Sequence, residues 1–436
     1  MIPLRSGYDR EILRLAALAL GSLAAEPLYV LADTAIVGHL GRSQLAALGI
    51  AAVVLSALFA IFNFLTYGTT AQVARASGAG EDDTAHGLGV QALWLSLGSG
   101  AGLTLLVVAL AVPIVSLMGG EGQTADYAVE YLRIAALGLP FAFVARGAEG
   151  YLRGRSDLRT PLIIFISANV LNLVLELLFV YGFDWGIAGS AWGTVAAQAV
   201  MGIAFVAVIA PSLRGRLGID GRLIRRLLTL GKHIFVRTAS LYAAFIVAGA
   251  VAARFGDPSL AAHQVAAQLW IFLALVLDAV AIAGQVIVGR MLGAGDRDGA
   301  YGASVRMVWM SVTAGAVFAV VMLALVTVLP RVFTSDPAVI DRAQALWPIF
   351  ALMQPLNGAV FALDGILIGA ADGRYLAWSM VAASVASCAV GIGALVFDWG
   401  IVGVWAALFV LILVRLVLMG YRFLGRQWLV TGWAPG

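Results

Sequence analysis

Charge is what this sequence has least of. Only 12% of its 436 residues are Asp, Glu, Lys or Arg, against 62% hydrophobic, and the mean hydropathy is +0.97. Those values exclude an ordinary soluble domain. Cysteine is nearly missing as well. The single Cys388 cannot form an intrachain disulfide and reads as a small packing residue. Four scattered histidines, His39, His86, His233 and His263, show no ligand spacing, so neither a metal site nor nucleophilic chemistry is expected. The Gly-rich segments RASGAG and RMLGAG lack the Lys-Ser/Thr and the preceding strand of a phosphate loop, and plain turn chemistry explains them better. No energy-coupling nucleotide site is visible, so transport, if this chain transports, must run on an ion gradient without a cofactor. The net charge of +3 is no nucleic-acid signal, because the basic residues gather in loops on one side.

What the chain does have is long apolar runs. Twelve of them lie near 12–37, 45–72, 87–117, 127–152, 160–182, 187–210, 230–253, 259–288, 301–329, 338–369, 375–397 and 400–423. Runs of this length cross a hydrocarbon core about 30 Å thick as helices. They are too long and too continuously apolar for barrel strands. Fifty glycines suit close helix packing in lipid. Arg5, Arg10, Arg14, Arg75, Arg153, Arg155, Arg159, Arg214, Arg216, Arg222, Arg225, Arg226 and Arg290 fall on one face; Arg42, Arg254, Arg331 and Arg342 fall on the other. The positive-inside rule then puts both termini in the cytoplasm. The N-terminus has some look of a signal peptide, but Asp9 and Glu11 interrupt its basic region, and its removal would leave the first half one span short.

The sequence is also written twice. Arg75–Gly80 matches Arg290–Gly295 at an offset of 215, and Gly41, Leu45 and Glu149-Gly150 match Gly256, Leu260 and Asp364-Gly365 at the same offset. The pentapeptide FDWGI occurs at 183–187 and 397–401, with the offset slipped to 214. Six spans per half is an even number, so the repeats are parallel. We therefore expect an all-α membrane protein with two six-helix lobes, 1–210 and 227–436, facing each other across a membrane-embedded cleft. The polar, basic stretch 211–226 reads as a cytoplasmic linker between them.

Acids inside spans cost roughly 2.5–3.5 kcal/mol each by insertion scales, so each needs a reason. The first half has Glu26 and Asp33 in its first span and Glu176 in its fifth. Both spans run outward, which places Asp33 and Glu176 at similar depth. Asn169, Asn172 and Glu176 form an i, i+3, i+7 stripe; Ser190, Thr194 and Gln198 form an i, i+4, i+8 stripe on the sixth span. Pro27 should kink the first span and act as its hinge. A polar pocket lined by the first, fifth and sixth spans follows. A carboxyl in low dielectric favours its protonated form, which suits it to take and release protons near neutral pH. The alternative is that these groups satisfy broken backbone near Pro27 or pair with one another.

The acids are not duplicated. Asp33 maps to Ala248, Glu26 to Leu241, and Glu176 to Val390 or Gly391. Ion coupling is therefore expected in the first lobe only. In the second half Asp278, whose counterpart is Asn63, reads as a structural acid near the inner mouth, with a proton relay or a cation site as the alternative. Glu149 and Asp364 are duplicated, which favours a shared structural or gating role. Gln264, Gln268, Gln354 and Asn357 are candidate cleft-lining amides, since an unpaired amide in lipid is costly. Met307 and Trp270 are candidates too, because soft sulfur and aromatic faces suit organic cations, with ordinary packing as the alternative.

Pro27–Gly41 (PLYVLADTAIVGHLG) resembles the first-helix signature of the MATE transporters, the multidrug and toxic compound extrusion family, and within it the DinF subfamily. Residues 169–198, 65–80 and 277–289 are similar to the same subfamily, so the resemblance covers essentially the whole chain. It implies twelve helices in two bundles around a V-shaped cleft, and export of diverse, often cationic amphipathic compounds in exchange for H⁺ or Na⁺. Its coupling residues carry over to Asp33, Asn169, Asn172 and Glu176, with Thr194 on the sixth span. Relatives often have Asp where this chain has Glu176, which puts sodium coupling in question; Glu26 is not a family-wide feature. The expected partners are small organic molecules and the bilayer, with the chain acting as a monomer in a bacterial inner membrane. A lipid-linked oligosaccharide flippase of the same superfamily is the nearest rival; it would need a basic cleft, with Arg146 and Arg237 the residues to check. A membrane-embedded enzyme would need a clustered catalytic constellation, and none is seen.

Overall fold

The computed structural model describes residues 7–213 and 217–433, and every regular element among them is helical. In chain order these are α1 (Asp9–Gly38), α2 (Arg42–Ile61), α3 (Phe64–Gly78), α4 (Asp82–Leu117), α5 (Gly122–Ala136), α6 (Leu139–Gly154), α7 (Arg159–Leu177), α8 (Gly186–Leu213), α9 (Gly221–Arg254), α10 (Asp257–Gly293), α11 (Arg297–Ala324), α12 (Leu329–Phe333), α13 (Pro337–Gly369), α14 (Gly373–Val396) and α15 (Gly400–Leu424). Taking α2 with α3, eleven are long and apolar enough to cross a membrane, and the pair α5 and α6, bent by 49°, makes twelve. They coincide with the twelve runs read from the sequence. Arg5, Arg214 and Arg216, which entered the orientation argument, lie outside the described residues.

The helices group into two compact units. One is Gly21–Gly231; the other joins Lys232–Gly436 to the residues up to Leu20. This differs from a division at 210 and 227 in two ways. The first turns of α1 belong to the second unit, where Arg306 holds Asp9 through two bonds of 2.7 and 2.9 Å and Arg290 holds Glu11 at 2.7 Å. The stretch read as linker is also shorter, because Asp220 accepts from the backbone N–H of Arg222 and Leu223 and so starts α9 at Gly221. Gln91 fixes that start to α4, donating to Gly218 O at 2.9 Å and accepting from Asp220 N at 3.1 Å.

The repeat is physical as well as textual. In the first unit α6 packs on α3 and α4, and α7 on α8; in the second, α13 packs on α10 and α11, and α14 on α15. Glycines make these crossings close. A Cβ on Gly154 would stand 2.9 Å from Thr70 O, and one on Gly369 would stand 2.7 Å from Gln285 O, both 215 positions on. Gly100 meets Pro140 and Gly315 meets Pro355 in the same way. Both GAG segments are left-handed helix ends, with φ of 74° at Gly80 and 83° at Gly295, which bears out turn chemistry rather than phosphate binding.

Candidate functional site

The site lies in the unit Gly21–Gly231, where α7, α8 and the second half of α1 meet. α7 presents Asn169, Asn172 and Glu176 on one face, and α8 presents Ser190, Thr194 and Gln198. Gly193 lets the two helices touch at the acid: a Cβ there would stand 3.2 Å from both N and Cα of Glu176. Directly after Glu176 the helix widens into one π turn, Leu178–Gly182. Such bulges re-aim side chains and concentrate at functional positions.

Polar contacts tie α1 to this pair. Asn169 Nδ2 donates to Ala25 O at 2.9 Å, beside Pro27, where the helix ladder has lost a donor. Tyr29 Oη and Thr194 Oγ1 are 3.0 Å apart, and Asn172 Nδ2 donates to the same Thr194 oxygen at 3.3 Å. Ser190 Oγ donates to Asp33 Oδ1 at 2.7 Å, and Tyr181 Oη donates to Ile36 O at 2.7 Å. The opposite face of α1 is open, with Leu28 and Leu31 66% and 67% exposed. Hydrogen bonds, more than apolar contact, hold this half of the helix.

These residues form two layers. Asp33, Glu176 and Ser190 are buried, Glu176 completely. Asp33 and Ser190 are the groups that face the Glu176 carboxyl. Ser190 spends its O–H donor on Asp33, and neither oxygen of Glu176 has a hydrogen-bond partner. Two facing carboxyls that both accept need a proton or a cation between them. One helical turn away on each helix stand Tyr29, Asn172 and Thr194, and these three line a cavity of about 130 Å³ that Asp33 and Glu176 do not line. The cavity also takes in Asn169, Gln198, Phe59, Phe165 and Met201.

A chain of alternating charges forms another wall of the cavity. Glu26 pairs with Arg146 at 3.0 Å, Arg146 approaches Glu149 at 3.7 Å, and Glu149 pairs with Arg153 at 2.5 Å. Glu26, read from sequence as a companion of Asp33, is thus placed in this chain. Its partner Arg146 also lies over the Phe59 ring, 5.7 Å from the centroid.

The second unit has no such site at the matching place. Ala248, Ser387 and Gly391, the counterparts of Asp33, Asn172 and Glu176, line a space of about 10 Å³ with Val247, Val251 and Val404. Ser387 is spent on Ala407 O at 2.8 Å. Asp364, the counterpart of Glu149, is ion-paired as Glu149 is, to Arg237 at 2.5 Å and Arg415 at 3.2 Å.

The other candidates from the sequence belong to this second unit, and none is among the residues that line the cavity. Gln264 and Gln268 are exposed on α10, and Asp278 is half-buried on the same helix. Gln354 and Asn357 are buried in α13, where Asn357 donates to Gln354 and Gln354 donates to Phe350 O at 2.8 Å. Trp270 packs between Phe245 and Phe361, and Met307 is wholly buried. The sequence reading missed Tyr29, and also Tyr131, which is buried on α5 next to Ser190. Glu26, Tyr29 and Asp33 are spaced i, i+3, i+7, so helical spacing was signal enough for Tyr29. No local pattern announces Tyr131.

The MatE family model matches residues 19–178 and 234–392, two segments that begin 215 positions apart. Protein DETOXIFICATION 44, chloroplastic, of Arabidopsis thaliana is 30% identical over 94% of this chain and 81% of its own length. DNA damage-inducible protein F of Escherichia coli is 30% identical over 93% of this chain and 90% of its own. Among solved structures, one described as MATE in the bent conformation superposes with a TM-score of 0.89 at 19% identity, covering 97% of this chain and 96% of that one.

Proposed function

Because the chain belongs to the MatE family, the multidrug and toxic compound efflux transporters, we propose that protons drive its export of small organic compounds through the Asp33–Glu176 pair. As a member of that family it is a multi-pass membrane transporter and not an enzyme. The observation that carries the coupling site is the facing pair of buried acids in one unit, set against the small apolar space at the matching place in the other.

In the proposed cycle a proton from outside joins the two carboxyls. Asp33 then no longer holds Ser190 as an ionised acceptor, and the hydrogen bonds that position α1 rearrange around Pro27. Tyr29, on the same face of α1, passes that rearrangement to Thr194 and Asn172 in the cavity wall, and the bound compound leaves outward. Inward release of the proton resets the site. Each proton contributes about 2.3 kcal/mol per 100 mV of membrane potential, before any pH difference. The alternative coupling ion is Na⁺.

The flippase reading loses support. Arg146 and Arg237, the two cations that a pyrophosphate would need, are each engaged by acids. The positive-inside asymmetry supports cytoplasmic termini. A composition rich in Ala, Gly and Arg and poor in Lys, with the Escherichia coli relative, supports a bacterial inner membrane.

The test is substrate-triggered collapse of a pH gradient in everted vesicles, comparing wild type with Asp33→Asn, with and without sodium. Collapse without sodium in the wild type, lost in the variant, is the expected result. Equal responses from both proteins would remove Asp33 from coupling. A response seen only with sodium would make Na⁺ the driving ion.

A further inference from the structure

The helices that pack on α5, namely α2, α4 and α8, leave one of its faces uncovered. That face carries Asp126, Glu130 and Arg133 at i, i+4 and i+7, all exposed. Among the described residues none of the three has a hydrogen bond or an ion pair. Beside them α4 and α5 leave a groove of about 580 Å³, with Val112, Val129 and Ile134 as its apolar side. Charges on the outside of a membrane-spanning unit are costly unless something meets them.

Helix length fixes the depth of these charges. α4 has 36 residues, about 54 Å at 1.5 Å each, against a hydrocarbon core of about 30 Å. Centred, it projects about 12 Å beyond the core at either end. Thr104 Oγ1 donates to Ala136 O at 2.6 Å, which sets α5 in register with α4. Arg133, one turn nearer the α4–α5 connection than Ala136, then stands about 15 Å below the Leu117 end, at the edge of the core. Glu130 and Asp126 stand one and two turns higher, in the headgroup layer.

That order selects a headgroup. The Arg133 stem lets its guanidinium rise to phosphate depth, and its planar fork matches a phosphate. Glu130, one turn above, accepts from an ammonium, with Asp126 as a further acceptor. The three charges sum to −1, so an anionic headgroup would leave both carboxylates unanswered and bring its phosphate up against them. A headgroup with both charges meets Arg133 and Glu130 at once. A primary ammonium has three N–H donors for a carboxylate, and a trimethylated one has none. The acyl chains then run along Val112, Val129 and Ile134.

From this groove and its three unpaired charges we infer that α4 and α5 hold a phospholipid with a primary ammonium headgroup, phosphatidylethanolamine, in preference to phosphatidylglycerol. The inference is independent of the coupling ion and of the exported compound.

A fluorophore in the groove tests it. Cys388, the one cysteine, is changed to serine, and Ser116, which lines the groove, to cysteine carrying bimane. The full chain is placed in phosphatidylcholine nanodiscs with rising fractions of phosphatidylethanolamine or phosphatidylglycerol, each spin-labelled on the same acyl chain. The ethanolamine lipid should reach half-quenching at about one-fifth of the mole fraction that the glycerol lipid needs, the scale of one or two exposed ion pairs. In Arg133→Gln and in Glu130→Gln, both at exposed positions and with unfolding midpoints near wild type, that ratio should fall to about twofold or less. Bimane on Val320→Cys, 67% exposed on α11 in the other unit, should show no preference. Equal quenching by the two lipids at Ser116→Cys, or stronger quenching by phosphatidylglycerol, would overturn the inference. So would a preference that survives both charge substitutions, or the same preference at Val320→Cys.

Discussion

Ser190 and Asp33 lie 157 positions apart in the chain, and the serine hydroxyl donates to the aspartate at 2.7 Å inside the apolar part of one helical unit. Both side chains are buried, so water cannot replace that donor. A hydrogen bond to a charged acceptor is worth roughly 1.5–3 kcal/mol, and this one fixes Asp33 against α8. Ser190→Ala should therefore loosen that end of α1. The expected result is proton-driven export lowered about tenfold or more at a fixed pH gradient, with binding of the compound within about threefold of wild type. Unchanged export would mean that Ser190 does not position Asp33 for coupling.

Tyr29 stands between the acids and the cavity, and its hydroxyl is its one link to Thr194. Tyr29→Phe keeps the ring and removes that link. Binding measured under non-transporting conditions should stay within about threefold of wild type, because one neutral hydrogen bond is worth only about 1 kcal/mol net. Proton-driven export should fall much further than binding. Equal losses in the two assays would mean that the tyrosine is simply part of the binding surface.

The close approach of α7 and α8 gives a matched pair of glycine substitutions. Gly193→Ala puts a methyl against the backbone of Glu176 at 3.2 Å, and crowding of this kind costs about 1–3 kcal/mol. Gly420, in α15, has open space around its would-be Cβ. There the change to Ala should stabilise by about 0.5–1 kcal/mol through helix propensity. Thermal unfolding in detergent should show opposite signs for the two variants, and only Gly193→Ala should lose coupled transport.

The repeat, the twelve spans and the acid-bearing unit were legible from spacing alone, because lipid forces long apolar helices and leaves their polar residues conspicuous. Asp33, Asn172, Glu176 and Thr194 stood out for that reason, and the structure brings them together. Glu26 was read with Asp33 because both sit on one face of α1. Its true partner, Arg146, comes from α6, and no local pattern joins the two. The amides Gln354 and Asn357 looked like lining groups, and they lie buried in α13, where Asn357 donates to Gln354. Spacing shows which face of a helix is polar; which other helix meets that face depends on contacts distant in sequence.

The duplicated acids should behave unlike the unduplicated ones. Asp364 balances Arg237 and Arg415, both buried, so Asp364→Asn leaves two cations with no counter-charge from it. Removing one partner from a buried ion pair costs about 3–5 kcal/mol. The expected outcome is a large drop in yield and unfolding temperature, with the ratio of protons to compound unchanged in whatever protein survives. Asp33→Asn removes a carboxylate that faces another acid, and so relieves repulsion. It should express normally, unfold at or above the wild-type temperature, and lose coupling. If Asp364→Asn folds normally and uncouples transport while Asp33→Asn destabilises, the roles assigned to the two acids are reversed, and the proton path belongs in the other unit.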